Sequence, residues 1–184
     1  DTKTPGFTRG QNLESIGQHA GDTSELFFND LRVPADALLG GVEGQGFVQM
    51  MRELPRERLI IGVQAVYGAK GALDATVKYV QERQAFGQAI GQFQNTRFTL
   101  AQCASDIAAA EAFLNASVAA YERGELTPDA VSALKLHTTE VFSRVADACL
   151  QLFGGYGYMA EYPISRFWTD ARVLRIYGGT SEIM

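Results

Sequence analysis

From Gly46 onward, apolar residues recur with a period near 3.6, the signature of helices that bury one face. Leu59, Val63, Val66, Leu73, Val77 and Val80 form one such stripe, which fades near Phe86-Gly87. Pro55 falls inside it, and a kink or restart is expected there because proline removes a backbone donor. A second helix is predicted from about Asn95 to Arg123, with Leu100, Cys103, Ile107, Ala110, Leu114 and Val118 aligned. Gly124 and Pro128 punctuate the chain, and a third helix is predicted from Pro128 to about Phe153. Gly154-Gly155-Tyr156-Gly157 ends it. A shorter helix is expected over Ile164 to about Val173, and Gly178-Gly179-Thr180 opens a further one with Thr180 as its N-cap. The fold class predicted is mainly α: an antiparallel helical bundle preceded by the tail of a β domain.

Residues 1 to about 45 lack the helical period and hold most of the turn chemistry. Ser24 to Val33 reads as extended, with a turn at Asn29-Asp30, and Ala35 to Leu39 allows one helical turn at most. The expected boundaries are residues 1–43 for the β remnant and 44–184 for the bundle. The chain opens and closes in mid-pattern, which leads us to expect a truncated protein.

Composition narrows the function classes. The net charge of −5 argues against nucleic acid as a partner. No apolar run approaches the length of a membrane span. Cys103 and Cys149 have no metal or disulfide-framework spacing and read as buried free thiols. His19 and His137 have no partner at metal-ligand spacing. The glycine-rich stretches do not sit between a strand and a helix, so neither is a dinucleotide fingerprint. Glu53 and Glu57, one helical turn apart among Arg52, Arg56 and Arg58, read by spacing as a solvated, ion-paired face. Pattern and composition alone therefore yield a bundle with glycine-rich ends and no distinctive chemistry.

Several strings taken in order change that picture. Glu82-Arg83-Gln84-Ala85-Phe86-Gly87 followed by Phe93-Gln94, then Gln151-Leu152-Phe153-Gly154-Gly155-Tyr156-Gly157-Tyr158, then Glu161-Tyr162-Pro163 and Asp170-Ala171-Arg172, then Arg175-Ile176-Tyr177-Gly178-Gly179-Thr180-Ser181-Glu182-Ile183 resemble acyl-CoA dehydrogenases. The leading segment, with Gly17, Asp22-Thr23, Phe27-Phe28, Val33-Pro34 and Gly44-x-Gly46-Phe47, resembles the end of that family's middle β domain.

The resemblance implies FAD-dependent desaturation of an acyl-CoA thioester to the trans-2-enoyl-CoA, an oxidoreductase activity of fatty-acid β-oxidation. A carboxylate takes the Cα proton while the thioester oxygen is held by hydrogen-bond donors. One donor in the family is the backbone N–H at the position of Gly178. Most members carry the catalytic glutamate at that same position, and glycine here is a departure. In long-chain and isovaleryl-type members the base comes from an earlier helix, in a string like L-x-x-E-R. Leu54-Pro55-Arg56-Glu57-Arg58 matches it, which implies Glu57 as base. The resemblance further implies that Arg83 meets the FAD pyrophosphate of a neighbouring subunit, with Phe86 and Gln94 from the same loop. Gln151, Gly154 and Gly155 match adenosine-side contacts, and Thr180 and Glu182 match contacts after the catalytic loop. Arg58, Tyr177 and Gly179 match the substrate's surroundings. The partners implied are acyl-CoA, an electron-transfer flavoprotein and further copies in a homotetramer. The location implied is cytoplasmic in a bacterium and the mitochondrial matrix in a eukaryote. The segment alone is expected to be inactive. The alternatives left open are an acyl-CoA oxidase-like relative and a catalytically silent one that serves in assembly and at the cofactor's edge.

Overall fold

The computed structural model describes all of residues 1–184. The chain divides into two compact units, Asp1–Glu53 and Leu54–Met184.

The first unit holds an antiparallel pair, β1 (Phe7–Asn12) and β2 (Ser24–Phe28). The expectation was correct that residues from Ser24 are extended and that the chain turns at Asn29-Asp30, where Asp30 takes φ 46°. The partner of that strand is β1, which the sequence reading missed. Thr8, Arg9, Gly10, Gln11 and Asn12 give β1 no apolar alternation, so only its pairing reveals it. Phe7 and Phe28 meet across the pair at 5.5 Å. A single 3₁₀ turn, Ala35–Ala37, follows Pro34. Only Gly17 is buried in this unit, while Leu26, Phe27, Phe28 and Val33 are all exposed. Two strands with no covered face have no core of their own.

The second unit is a helical bundle. Its first helix, α1 (Gly46–Glu82), begins in the preceding unit and continues through Pro55. Of the kink or restart expected at Pro55, the restart does not occur. Proline costs the bond to the carbonyl four residues back, but here that residue, Met51, is exposed and water can serve its carbonyl. A two-residue hairpin, β3 (Gln84–Ala85) with β4 (Gln88–Ala89), turns the chain back. Then come α2 (Gln94–Glu122), α3 (Pro128–Phe153) and α4 (Pro163–Leu174). Their ends follow local chemistry. Glu125 N–H bonds Ala120 O and Gly124 N–H bonds Tyr121 O, with Gly124 at φ 71°, closing α2 with a left-handed cap. Thr127 accepts from Ala130 N–H at 3.3 Å and Pro128 takes the first turn of α3.

Helix α3 lies at the centre, against α2 and α4. Its residues Val131, Leu134, Val141, Phe142, Val145, Ala146, Cys149 and Phe153 are buried. The buried stripe of α1 differs from the expected one. Leu59, Val66 and Val80 are buried as expected, but they are joined by Ile61, Gly62, Ala65, Ala69, Ala72 and Thr76, whereas Val63 is exposed and Leu73 and Val77 are half-buried. The small residues are there because large side chains of other helices fill the space. A Cβ on Gly62 would stand 3.1 Å from Leu134, one on Gly68 2.6 Å from Phe142, and one on Gly71 3.0 Å from Phe167. Close helix packing, rather than room for a ligand, accounts for this stripe. No helix is long and apolar enough to cross a membrane.

Candidate functional site

Most of the residues singled out from the sequence gather in two places within the bundle. The first is the segment after α4, Arg175 to Glu182. It was expected to start a helix capped by Thr180. It is a run of turns as far as Thr180, whose carbonyl accepts from both Ile183 N–H and Met184 N–H, the latter with the i to i+4 spacing of a helix. Gly178 and Gly179 sit at φ 65° and 110°, conformations that other residues adopt only with strain. Two consecutive glycines in such a turn have no side chains to hold them, and the bundle supplies the hold from outside.

Arg58, on α1, donates from Nε to Gly178 O at 3.1 Å and from Nη1 to Ser132 Oγ at 2.9 Å. Lys135 Nζ, on α3, donates to Gly179 O, and Lys135 is fully buried. Glu140, five residues further along α3, accepts from Arg175 Nε at 2.7 Å and from Ser181 Oγ at 2.9 Å. Tyr177 Oη donates to Gln64 Oε1 at 2.8 Å. Burial and the neighbouring Arg58 charge hold the Lys135 ammonium below its usual range, against an opposing pull from Glu140. Glu182 is exposed, and its carboxyl is held below the usual range by its own backbone N–H and by the Thr180 hydroxyl.

Glu57 belongs to the same place by helical geometry. Ile61 stands one turn beyond it, and Ile61 Cδ1 occupies the space a Cβ on Gly178 would enter, at 2.6 Å. Gln64, which meets Tyr177, continues the stripe. Residues 57, 61 and 64 thus share one face of α1, the face turned to the glycine loop. Glu57 is exposed and makes no hydrogen bond or ion pair within the chain, so the ion-paired face suggested by spacing does not form. Arg58 is committed to the loop's backbone and to Ser132.

The second place is a groove of about 650 Å³ lined by Arg83, Gln151, Gly154, Gly155 and Tyr156 over a floor of Tyr79 and Phe153. Tyr79 stacks on Phe153 at 4.0 Å, and Tyr162 meets both edge-on. The Arg83 guanidinium lies 5.3 Å from the centre of the Tyr156 ring. A Cβ on Gly154 or Gly155 would meet nothing within 4 Å, so their backbone faces open space. Phe86 and Gln94 do not line this groove. Phe86 tips the β3–β4 hairpin at φ 52°, with Gly87 at 82°, which is the two-residue turn favoured in hairpins. An aromatic at positive φ is strained, and its ring is 96% exposed. Gln94 is exposed at the start of α2. Thr180 and Glu182 lie on the glycine loop, apart from the groove.

Sequence reasoning missed Lys135, Glu140, Gln64 and Ser132. A lysine and a glutamate on the apolar side of α3 were the available signal, since charged residues are seldom placed there without partners.

Residues 44–184 match the family model described as acyl-CoA dehydrogenase, C-terminal domain. The pig mitochondrial long-chain specific acyl-CoA dehydrogenase is 45% identical over 179 residues, which is 97% of this chain and 41% of that protein. The crystal structure of an acyl-CoA dehydrogenase from Geobacillus kaustophilus superposes with a TM-score of 0.95 at 44% identity, covering 98% of this chain and 47% of that one. A glutaryl-CoA dehydrogenase from Mycobacterium smegmatis, solved in complex with FADH2, superposes with a TM-score of 0.92 at 28% identity, covering 99% and 47%. The chain spans rather less than half the length of these relatives. Matched by one family's C-terminal domain from Gly44 to Met184, and following solved members of that family over almost all of its length, the chain belongs to the acyl-CoA dehydrogenases.

Proposed function

We propose that this chain is the C-terminal part of an FAD-dependent dehydrogenase that converts an acyl-CoA thioester to its trans-2-enoyl form, with Glu57 as the base. The observation that carries this reading is the pairing of an unpartnered carboxylate with a glycine loop locked by Arg58 and Lys135 on the same face of α1. A carboxylate free of internal partners is available to take a proton. A backbone N–H on a loop that cannot relax is suited to stabilise charge on a thioester oxygen, because its orientation needs no adjustment as that charge develops. Gly178 supplies that donor, and Gly179 and Tyr177 shape the space beside it.

The groove fits the adenosine and pyrophosphate side of FAD. Its glycine backbone is open to close approach, and a permanently charged guanidinium stands at its edge. Arg83 would meet the pyrophosphate of a neighbouring subunit's cofactor, with Phe86 and Gln94 from the same loop, while Gln151, Gly154 and Gly155 would take the adenosine side and Thr180 and Glu182 contribute from the loop after α4. FAD, when bound, supplies the acceptor for the hydride that leaves Cβ. Ile60, Tyr67 and Phe98 are exposed apolar side chains on the long helices, which supports assembly with further copies as a tetramer. On this reading residues 1–43 are the end of the middle β domain, 44–184 form the bundle, and electrons pass on to an electron-transfer flavoprotein.

The test is Glu57→Gln in the full-length, flavin-loaded protein, mixed anaerobically with a panel of acyl-CoAs while flavin absorbance is followed. Wild type should bleach. The variant should bleach on the order of 10² to 10⁴ times more slowly while still binding both FAD and acyl-CoA. Equal bleaching would place the base elsewhere, and an absence of bleaching with every acyl-CoA would remove the dehydrogenase reading.

A further inference from the structure

We infer that Lys135 is a positioning residue of the thioester site: it holds the glycine loop so that the Gly178 N–H points at the substrate oxygen. The inference rests on the dehydrogenase reading above. Its basis is that two cations from different helices take consecutive carbonyls of one loop, Arg58 that of Gly178 and Lys135 that of Gly179. Holding both carbonyls fixes the peptide planes on either side of Gly179, and the Tyr177–Gln64 bond holds the residue before Gly178. The N–H of Gly178 lies in the peptide plane between these anchors, which restrict its rotation from both sides. Without these anchors, two glycines at positive φ are the most mobile arrangement a backbone offers.

A purely structural role does not explain the choice of lysine. Lys135 is fully buried, and its one carbonyl partner leaves donor capacity unused. A buried ammonium stabilises a fold less than a well-packed apolar side chain of similar volume. Its position beside Arg58 adds repulsion, which Glu140 offsets. Such a cost is expected at sites where geometry matters more than stability.

The experiment compares wild type, Lys135→Met, Lys135→Arg and Glu57→Gln as full-length, flavin-loaded proteins. The probe is a set of 3,3-dimethylacyl-CoA thioesters of graded chain length. These keep their Cα hydrogens but have none on Cβ, so hydride transfer is impossible and only proton exchange at Cα is read. Exchange is followed in deuterated water by mass spectrometry. The infrared stretch of a ¹³C-labelled thioester carbonyl reports the hydrogen bond directly. Lys135→Met is expected to slow exchange about tenfold or more, the equivalent of one well-aligned hydrogen bond. Its carbonyl stretch should move back toward that of the free thioester, its affinity for acyl-CoA should stay within about threefold of wild type, and its melting temperature should not fall. Lys135→Arg, which keeps a donor, should recover part of both signals. Wild-type exchange and an unshifted carbonyl in Lys135→Met overturn the inference, as does a loss of exchange that merely follows loss of folded protein. Should Lys135→Met not fold, Lys135→Gln is judged on the same two signals. If wild type exchanges and Glu57→Gln does not, Glu57 stands as the base and the Lys135 result is judged alone. If wild type itself shows no exchange, that reading falls and the Lys135 inference falls with it.

Discussion

Replacing Gly178 by alanine tests why this position carries no side chain. Two separate costs are expected. At φ 65° an alanine is in the left-handed region, which costs about 1 kcal/mol relative to glycine. Its Cβ would also stand 2.6 Å from Ile61 Cδ1, closer than two carbons can approach. Ile61 is buried, so the methyl must move into packed surroundings, at about 1–2 kcal/mol. Gly178→Ala should therefore lose about 2–3 kcal/mol. The structure separates the two costs, because valine at position 61 lacks the offending methyl. Ile61→Val alone should lose about 1 kcal/mol. Combined with Gly178→Ala it should recover the steric share, so that the double variant is about 1 kcal/mol more stable than the sum of the single losses. Denaturant unfolding of all four proteins measures the coupling. Losses that add within about 0.4 kcal/mol would mean the two residues do not meet, and the placement of Glu57 opposite the glycine loop would lose its geometric support.

Three further outcomes are expected. Phe86→Asn should raise stability by about 1 kcal/mol, since asparagine tolerates positive φ and the exposed ring forfeits little packing, while weakening flavin retention; a less stable variant would show the strain is not real. Because the Lys135 ammonium titrates below its ordinary 10.5, the unfolded chain binds more protons as pH approaches that value, and wild-type stability should gain on Lys135→Met across that window. Parallel alkaline melting curves for the two would contradict it. Cys103 and Cys149 are buried with their thiols facing each other, and the hydrogen bond with Cys103, together with burial, pushes Cys149 up, so a chromogenic disulfide reagent should label them only at the rate of unfolding. Labelling at the rate of a free thiol would show that this part of the core opens.

Much of the architecture was legible because it is local. The 3.6 period of α2 and α3, Pro128 after Thr127, and the glycine stops at Gly124 and Gly154 each act within a few residues, and the observed bounds fall within a residue of the expected ones. The failures were cases where a distant partner decides. Strand β1 has no pattern of its own and exists because β2 pairs with it. The buried stripe of α1 was placed on its larger aliphatics alone; Leu59, Val66 and Val80 are buried, but Leu134, Phe142 and Phe167 arriving from other helices select small residues beside them.

The same division runs through the candidate site. The ordered strings around Arg83, Gly154 and Gly178 could be read as a family pattern, and they named Glu57 by its neighbours in sequence. They could not show that Arg58 and Lys135, 77 positions apart by their numbering, close on adjacent carbonyls, or that Glu140 ties Arg175 to Ser181. Periodicity and capping are properties of a segment, and the sequence alone determines them. Which carbonyl a buried lysine reaches, and which glycine an isoleucine methyl fills, depend on how helices far apart in the chain come together, and only the tertiary structure decides that.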